Sequence, residues 1–146
     1  MAAVDDVDEL IEQFHLAQGG FVKQREPRAC QEAVLSHRED VTLNNPLSPP
    51  AHGWDEVAAT MERAASQFTD GEIVGYEIIE KYVTPELAYV VEIERHKAKV
   101  GGREDIVPTA LRATMIFRPE EGTWKVVHRH ADPITTAWPA ESMIQL

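Results

Sequence analysis

The sequence has one cysteine in 146 residues, Cys30, so it can form no internal disulfide. A lone thiol fits a reducing cytoplasm, and its place between Ala29 and Gln31 in a short helical stretch favours burial over service as a nucleophile. No apolar run approaches the roughly 20 residues of a membrane-spanning helix, which argues against a membrane partner. The stretch from Met1 to Glu9 is acidic, whereas a secretory signal starts basic and turns apolar. Basic residues are scarce too: 14 Lys and Arg stand against 25 Asp and Glu, for a formal charge of −11. No Lys/Arg cluster lies along one element, so phosphate backbones would be repelled and nucleic acid is not an expected partner. Repeats, low-complexity tracts and Gly/Ser/Pro-rich linkers are also lacking. The chain 1–146 therefore reads as a single domain, with a core at about 6–135 and a tail at 136–146.

What is present divides into a helical half and a β-rich half. Val7, Leu10, Ile11, Phe14 and Ala17 form one stripe at helical spacing, with Asp5 or Asp6 as a cap. Gly19-Gly20 would ordinarily stop this helix, yet Phe21 and Val22 stay in phase, so it is read as running on to about Lys23. Pro27 opens a second helix to about Leu35 that buries Cys30, Ala33 and Val34. The run from Asp40 to Pro46 reads as a strand and a rigid loop. A third helix covers 54–68, with Val57, Met61, Ala64, Ala65 and Phe68 inward. Beyond Asp70-Gly71 the period becomes two, and strands are predicted at 72–83, 87–99, 104–118 and 123–131. Three helices followed by a four-strand meander define an α+β class.

The turns fix a register. A two-residue hairpin loop at Gly101-Gly102 pairs Val91 with Arg112 and Tyr89 with Thr114, and a pairing of Arg118 with Thr123 sets Arg112 opposite Arg129. One face then carries Tyr89, Val91, Ile93, Arg95, Arg112, Thr114, Ile116, Val127 and Arg129. The other carries Val90, Glu92, Leu111, Ala113, Met115, Phe117, Trp124, Val126, His128 and His130. Helices can cover only one face, and both are apolar. The arginine-bearing face is therefore read as a ligand pocket, and the face with Met115, Phe117, Trp124, His128 and His130 as a homodimer surface.

Several stretches resemble a known family. They are Asn45-Pro46, the run His52-Gly53-Trp54-Asp55-Glu56-Val57, the strand Leu87-Ala88-Tyr89-Val90-Val91, and the ending from Gly122 through Trp124 and His128-Arg129-His130 to Asp132. Together they resemble the SnoaL-like branch of the nuclear-transport-factor-2-like superfamily, which also holds ketosteroid isomerase, scytalone dehydratase and the association domain of calmodulin-dependent kinase. The resemblance covers about 6–135. It implies a cone-shaped, strongly curved antiparallel sheet packed on three N-terminal helices (a cystatin-like roll), a pocket inside the cone and a dimer across the sheet. The catalytic set of ketosteroid isomerase does not carry over. The position of its carboxylate base falls on Asn45, an amide that accepts no substrate proton, and its oxyanion aspartate on Thr114. No tyrosine precedes Tyr76. The kinase association domains line their pocket with arginines, an arrangement that Arg112 and Arg129 resemble.

The candidate chemistry follows. Arg112 and Arg129 could hold a ligand carboxylate, phenolate or enolate, or could pair with internal acidic side chains. His128 and His130 could ligate a metal with Glu92, Glu94 or His96, but H-x-H alone is no signature, and structural hydrogen bonding is the reading adopted; no metal and no cofactor are expected. Tyr89, Tyr82 and Trp54 could form an aromatic wall or plain core, and Val91 and Thr114 line the same face. Asn45 could meet a ligand carbonyl or cap a turn before Pro46. Asp40 and Asp132 are the carboxylates considered as bases. Two functional expectations result. One is a pocket protein for a small, partly apolar, anionic molecule bound through Arg112, Arg129, Tyr89 and Asn45, either non-catalytic or of lyase, isomerase or cyclase type. The other is a dimerisation or partner-binding module with a vestigial pocket.

Overall fold

The apolar stripe of the first segment does make a helix, α1 (Val4–Gln24), and its stripe residues Val7, Leu10, Ile11, Phe14 and Ala17 are all buried. The computed structural model describes residues 4–24 and 27–145. The helix already runs at Val4, so Asp5 and Asp6 stand inside its first turn rather than ahead of it. The glycine pair does not stop it, because the helix meets a strand there. A Cβ on Gly19 would lie 3.0 Å from Ile73 Cδ1, so the missing side chain lets the strand close in. A second helix, α2 (Pro27–Val34), starts at the predicted proline. The expected burial of Cys30 lies outside the described side chains. The third helix, α3 (Trp54–Ala65), buries Val57, Met61, Ala64 and Ala65 as the spacing predicts, but ends earlier than expected. Phe68 instead opens a strand and pairs with Val100.

Among the described residues the strands are β1 (Thr42–Asn44), β2 (Ala51–His52), β3 (Phe68–Val83), β4 (Ala88–Val100), β5 (Val107–Glu120) and β6 (Thr123–Asp132). They form one sheet in the order β2-β1-β6-β5-β4-β3. The sheet is mixed rather than wholly antiparallel. β1 lies parallel to β6, Leu43 opposite Arg129, a pairing between segments far apart in sequence that no turn signal announces. β2 has two residues between Pro50 and Gly53, too few to show a period.

Irregular pairing bends the sheet. The β3–β4 ladder shifts register at Thr69/Glu72, Ile73/Gly75 and Ile78/Glu80, and each extra residue adds local twist. The resulting curve wraps β3 around α1, and the core fills the concavity with Phe14, Val90, Met115, Phe117, Trp124 and Val126. The same bulges blunt β3 as an edge strand.

Both predicted hairpins form, each with two more residues of register than expected. Gly101 and Gly102 have φ of +61° and +85°, but the β4–β5 ladder begins only at Ala98 opposite Val107, so Val91 faces Thr114 and Ile93 faces Arg112. In the last hairpin Glu120 pairs with Thr123 across Glu121-Gly122. A shift of two leaves every side chain on its expected face. The decisive departure is a bulge between Ile116 and Phe117, which pair with His128 and Val126 and leave Val127 unmatched. Beyond that point β6 is turned over. Arg129 joins Met115 on the concave face, and His128 and His130 join Ile116 and Thr114 on the convex one.

Candidate functional site

On the concave face of β4 the alternation Val90, Glu92, Glu94, His96, Ala98 is buried throughout, with both glutamates at 0% exposure. Two carboxylates in an apolar interior demand partners. Arg129, placed inward by the β6 bulge, closes on Glu94 with both arms, Nη1 to Oε2 at 2.8 Å and Nη2 to Oε1 at 2.7 Å. The amide of Gln18 on α1 donates to Glu94 Oε1 at 3.0 Å. The guanidinium also stands 5.0 Å from the centre of the Phe14 ring. Burial works to raise the Glu94 carboxyl, but the charge and hydrogen bonds of Arg129 more than reverse this and hold it well below the usual carboxylate range.

Glu92 has a different partner. His15, also on α1, sets Nε2 against both of its oxygens, at 3.0 and 2.9 Å. Burial pushes the Glu92 carboxyl up to about 7, with His15 opposing the rise and the neighbouring Glu94 adding to it. The His15 ring stacks on Tyr76 of β3, centroids 3.5 Å apart, and the tyrosine hydroxyl donates to the His15 carbonyl at 3.2 Å. Burial raises the Tyr76 phenol, so it stays protonated as a donor. The His96 and Tyr76 rings stand nearly perpendicular, centroids 5.9 Å apart, and burial lowers His96, favouring the neutral ring.

This cluster reaches solvent through a cleft of about 440 Å³ between α1 and β3. Asp8, Ile11, Glu12, His15 and Leu16 line it from the helix, and Ile73, Tyr76 and Ile78 from the strand. The His15 side chain is 15% exposed whereas Glu92 is wholly covered. Histidine is thus the member of the pair that a molecule in the cleft would meet. With Nε2 committed to Glu92, Nδ1 is the ring atom left for such a molecule.

The sequence-predicted site is redistributed. Arg112 and Arg129 do not share a pocket: Arg112 is on the convex face, bonded through Nε to Asp132 Oδ1 at 2.8 Å, while Arg129 is spent on Glu94. The paired guanidinium groups of the anion-binding expectation are therefore absent from any one site. Tyr89, Val91 and Thr114 lie half-buried on the convex face with Arg112, and Tyr89 stacks on Tyr82 at 5.8 Å. Asn45 caps a turn, its Oδ1 accepting from Leu47 N at 2.9 Å and from Ser48 Oγ at 3.1 Å. Trp54 stacks on His37 at 3.9 Å, at the core's margin.

The expected dimer face is corrected as well. Met115, Phe117 and Trp124 are 0%, 0% and 3% exposed, because the helices cover their face and not the opposite one. His128, on the convex face, shares a hydrogen bond with Thr42 Oγ1 at 2.8 Å, and His130 lies 3.7 Å from Asp132. Asp40 is held by Arg118 at 2.7 and 3.0 Å, so both carboxylates considered as bases are in ion pairs. No group of three His, Cys, Asp or Glu side chains suited to a metal ion occurs among the described residues. No described helix is long and apolar enough to cross a membrane. The sequence reading missed His15 and Tyr76. The signal for them was a run of polar residues, Glu92, Glu94 and His96, on one face of a strand otherwise apolar there.

A curved sheet rolled around its helices is the fold this chain shares with solved nuclear-transport-factor-2-like proteins. Within that class the chain belongs to the SnoaL-like domain family, whose model matches residues 32–135. Solved structures agree on the fold. A nuclear transport factor 2-like superfamily protein from Salmonella enterica serovar Typhimurium superposes with a TM-score of 0.75 at 12% identity, covering 94% of each chain. A ketosteroid isomerase-like protein from Erwinia carotovora atroseptica gives 0.65 at 18% identity, covering 90% of this chain and 93% of its own. A protein with a cystatin-like fold from Caulobacter vibrioides gives 0.64 at 16%, covering 94% and 92%. No curated protein matches the sequence. The matched range begins after α1, so His15 and Gln18 lie outside it.

Proposed function

We propose that the protein binds a small, partly apolar molecule in the α1–β3 cleft and moves a proton on it, as an enzyme of lyase or isomerase type. One observation carries this reading: His15 Nε2 sits 2.9 and 3.0 Å from the two oxygens of a fully buried glutamate whose carboxyl is pushed up to about 7. A carboxylate behind an imidazole fixes its orientation and stabilises the imidazolium that forms when the outer nitrogen takes a proton. A carboxyl poised near neutrality changes protonation at little cost, which suits acid–base work at that pH. Glu94, held ionised by Arg129, is the charged neighbour that adds to the rise at Glu92.

The test uses nitrobenzisoxazole, a small neutral aromatic probe. A base removes its ring C–H proton, the N–O bond breaks, and a cyanophenolate is released. Cleavage should accelerate over free imidazole and rise through about pH 7 as Glu92 ionises. His15→Ala should lower kcat/KM about a hundredfold, the scale of one positioned base. A rate equal to free imidazole, or one unchanged in His15→Ala, would reject the reading.

A second reading, association of two copies through the convex face, is favoured by the row Tyr89, Val91, Ile93, Thr114 and Ile116, turned away from α1. Light scattering at micromolar concentration decides it: a monomer mass rules it out.

A further inference from the structure

The cleft's charges say what kind of molecule suits it. Asp8 and Glu12 stand one helical turn apart on the same side of α1, both at the cleft wall. Below them lies Glu92, behind His15. The cations nearby are already engaged: Lys81 bonds to Asp8, and Arg129 turns both arms to the buried Glu94. The remaining walls, Ile11, Leu16, Ile73, Ile78 and the Tyr76 ring, are apolar or aromatic. Among the described residues, an anion placed here would meet carboxylates with no uncommitted guanidinium or ammonium to receive it. The whole chain, at −11, adds a field of the same sign.

We infer that the cleft selects a small organic cation, an amine whose ammonium meets Glu12, beside the Asp8–Lys81 pair, while its apolar body lies along Ile11, Leu16, Ile73 and the Tyr76 ring. This rests on the cleft being the binding site, as proposed above. An ammonium can donate to the Glu12 carboxylate at the mouth, and Tyr76 lines the wall beside it. The body then extends along the cleft towards His15. An aliphatic or aromatic amine bound this way presents a C–H near its charged nitrogen to the imidazole.

Three probes of matched shape test the inference: benzylamine, benzyl alcohol and benzoate, titrated at pH 7 into the full chain and into Glu12→Gln. Binding is read from amide shifts of His15, Leu16, Ile73 and Tyr76. Benzylamine should bind about tenfold tighter than benzyl alcohol, the scale of one charge-assisted contact, and benzoate weakest. Glu12→Gln should remove most of the amine's advantage and leave benzyl alcohol unchanged. If benzyl alcohol or benzoate binds the cleft as tightly as the amine, the cation inference is overturned while the cleft remains the site. An amine preference unmoved by Glu12→Gln overturns the placement of the ammonium. If none of the three shifts the cleft residues, the cleft reading and this inference fall together.

Discussion

Glu92 and Glu94 stand two residues apart on the concave face of β4, both fully buried, and the fold shifts their proton affinities in opposite directions. Arg129 and Gln18 surround Glu94 with donors, and it stays ionised. Burial raises Glu92, with charged Glu94 adding to the rise and His15 opposing it, so its proton leaves only near pH 7. Two acids with separated affinities are a common basis for acid–base work, and here the separation comes from which element faces each.

Glu92 should make stability fall with rising pH. Its folded value of about 7 is above the ordinary 4.5, so between these values the folded chain holds a proton that the unfolded chain has lost. That contribution is intact below about 4.5 and is lost as pH rises through about 7. Its upper bound is about 3 kcal/mol, from the linkage between proton affinity and stability. Glu92→Gln, which keeps the shape without the charge, should match the parent at pH 5 and exceed it at pH 8 in urea melts. Parallel pH–stability curves for the two proteins would contradict this.

Arg129 is a different case, since its removal strands a buried anion. Arg129→Met should cost about 3–5 kcal/mol at pH 7, the usual penalty for breaking one half of a buried pair. The loss should shrink on acidification, because Glu94 without its guanidinium can take a proton. Adding Glu94→Gln to Arg129→Met should return much of the stability, and a double-mutant cycle measures the coupling. Additive effects of the two substitutions would mean that the pair is not coupled as described.

Gly71 marks the contact that seats α1 in the curve of the sheet. A Cβ there would lie 2.7 Å from the Val22 carbonyl oxygen, a backbone atom that cannot swing aside. Gly71→Ala should therefore cost about 1–3 kcal/mol, as overpacking does. Gly75→Ala on the same strand meets nothing within 4 Å and serves as the control. Equal melting temperatures for the two variants would argue against close packing at Gly71.

The amphipathic spacing of α1 and α3 and the turn glycines made the elements and their order readable, because those signals are local. The faces of β4 and β5 were also readable, since errors of two residues preserve alternation. Val127 was not: whether a strand bulges depends on how its neighbours curve, and nothing in Val126-Val127-His128 marks it. That one residue separated Arg129 from Arg112 and took His128 and His130 off Trp124's face. Which face the helices cover is equally non-local. A sheet apolar on both sides gives no hint, and the face holding Met115, Phe117 and Trp124 reads equally well as a surface for a second copy. His15 escaped notice because its partner lies 77 residues away, across the core.

The reversal of faces has a direct test in two adjacent residues. Phe117 is 0% exposed among the core side chains, and Ile116 is half-buried on the convex face. Phe117→Ala should cost about 3–5 kcal/mol, the loss of a large buried ring plus the cavity it leaves. Ile116→Ala removes a side chain that already meets solvent and should cost about 1 kcal/mol or less in a single copy of the chain. If two copies join through the convex face, the Ile116 cost should grow with protein concentration while the Phe117 cost stays fixed. Denaturant melts of both variants at two concentrations, tens of micromolar apart, separate the cases. A larger loss at Ile116 than at Phe117 under dilute conditions would place the helices on the wrong side of the sheet.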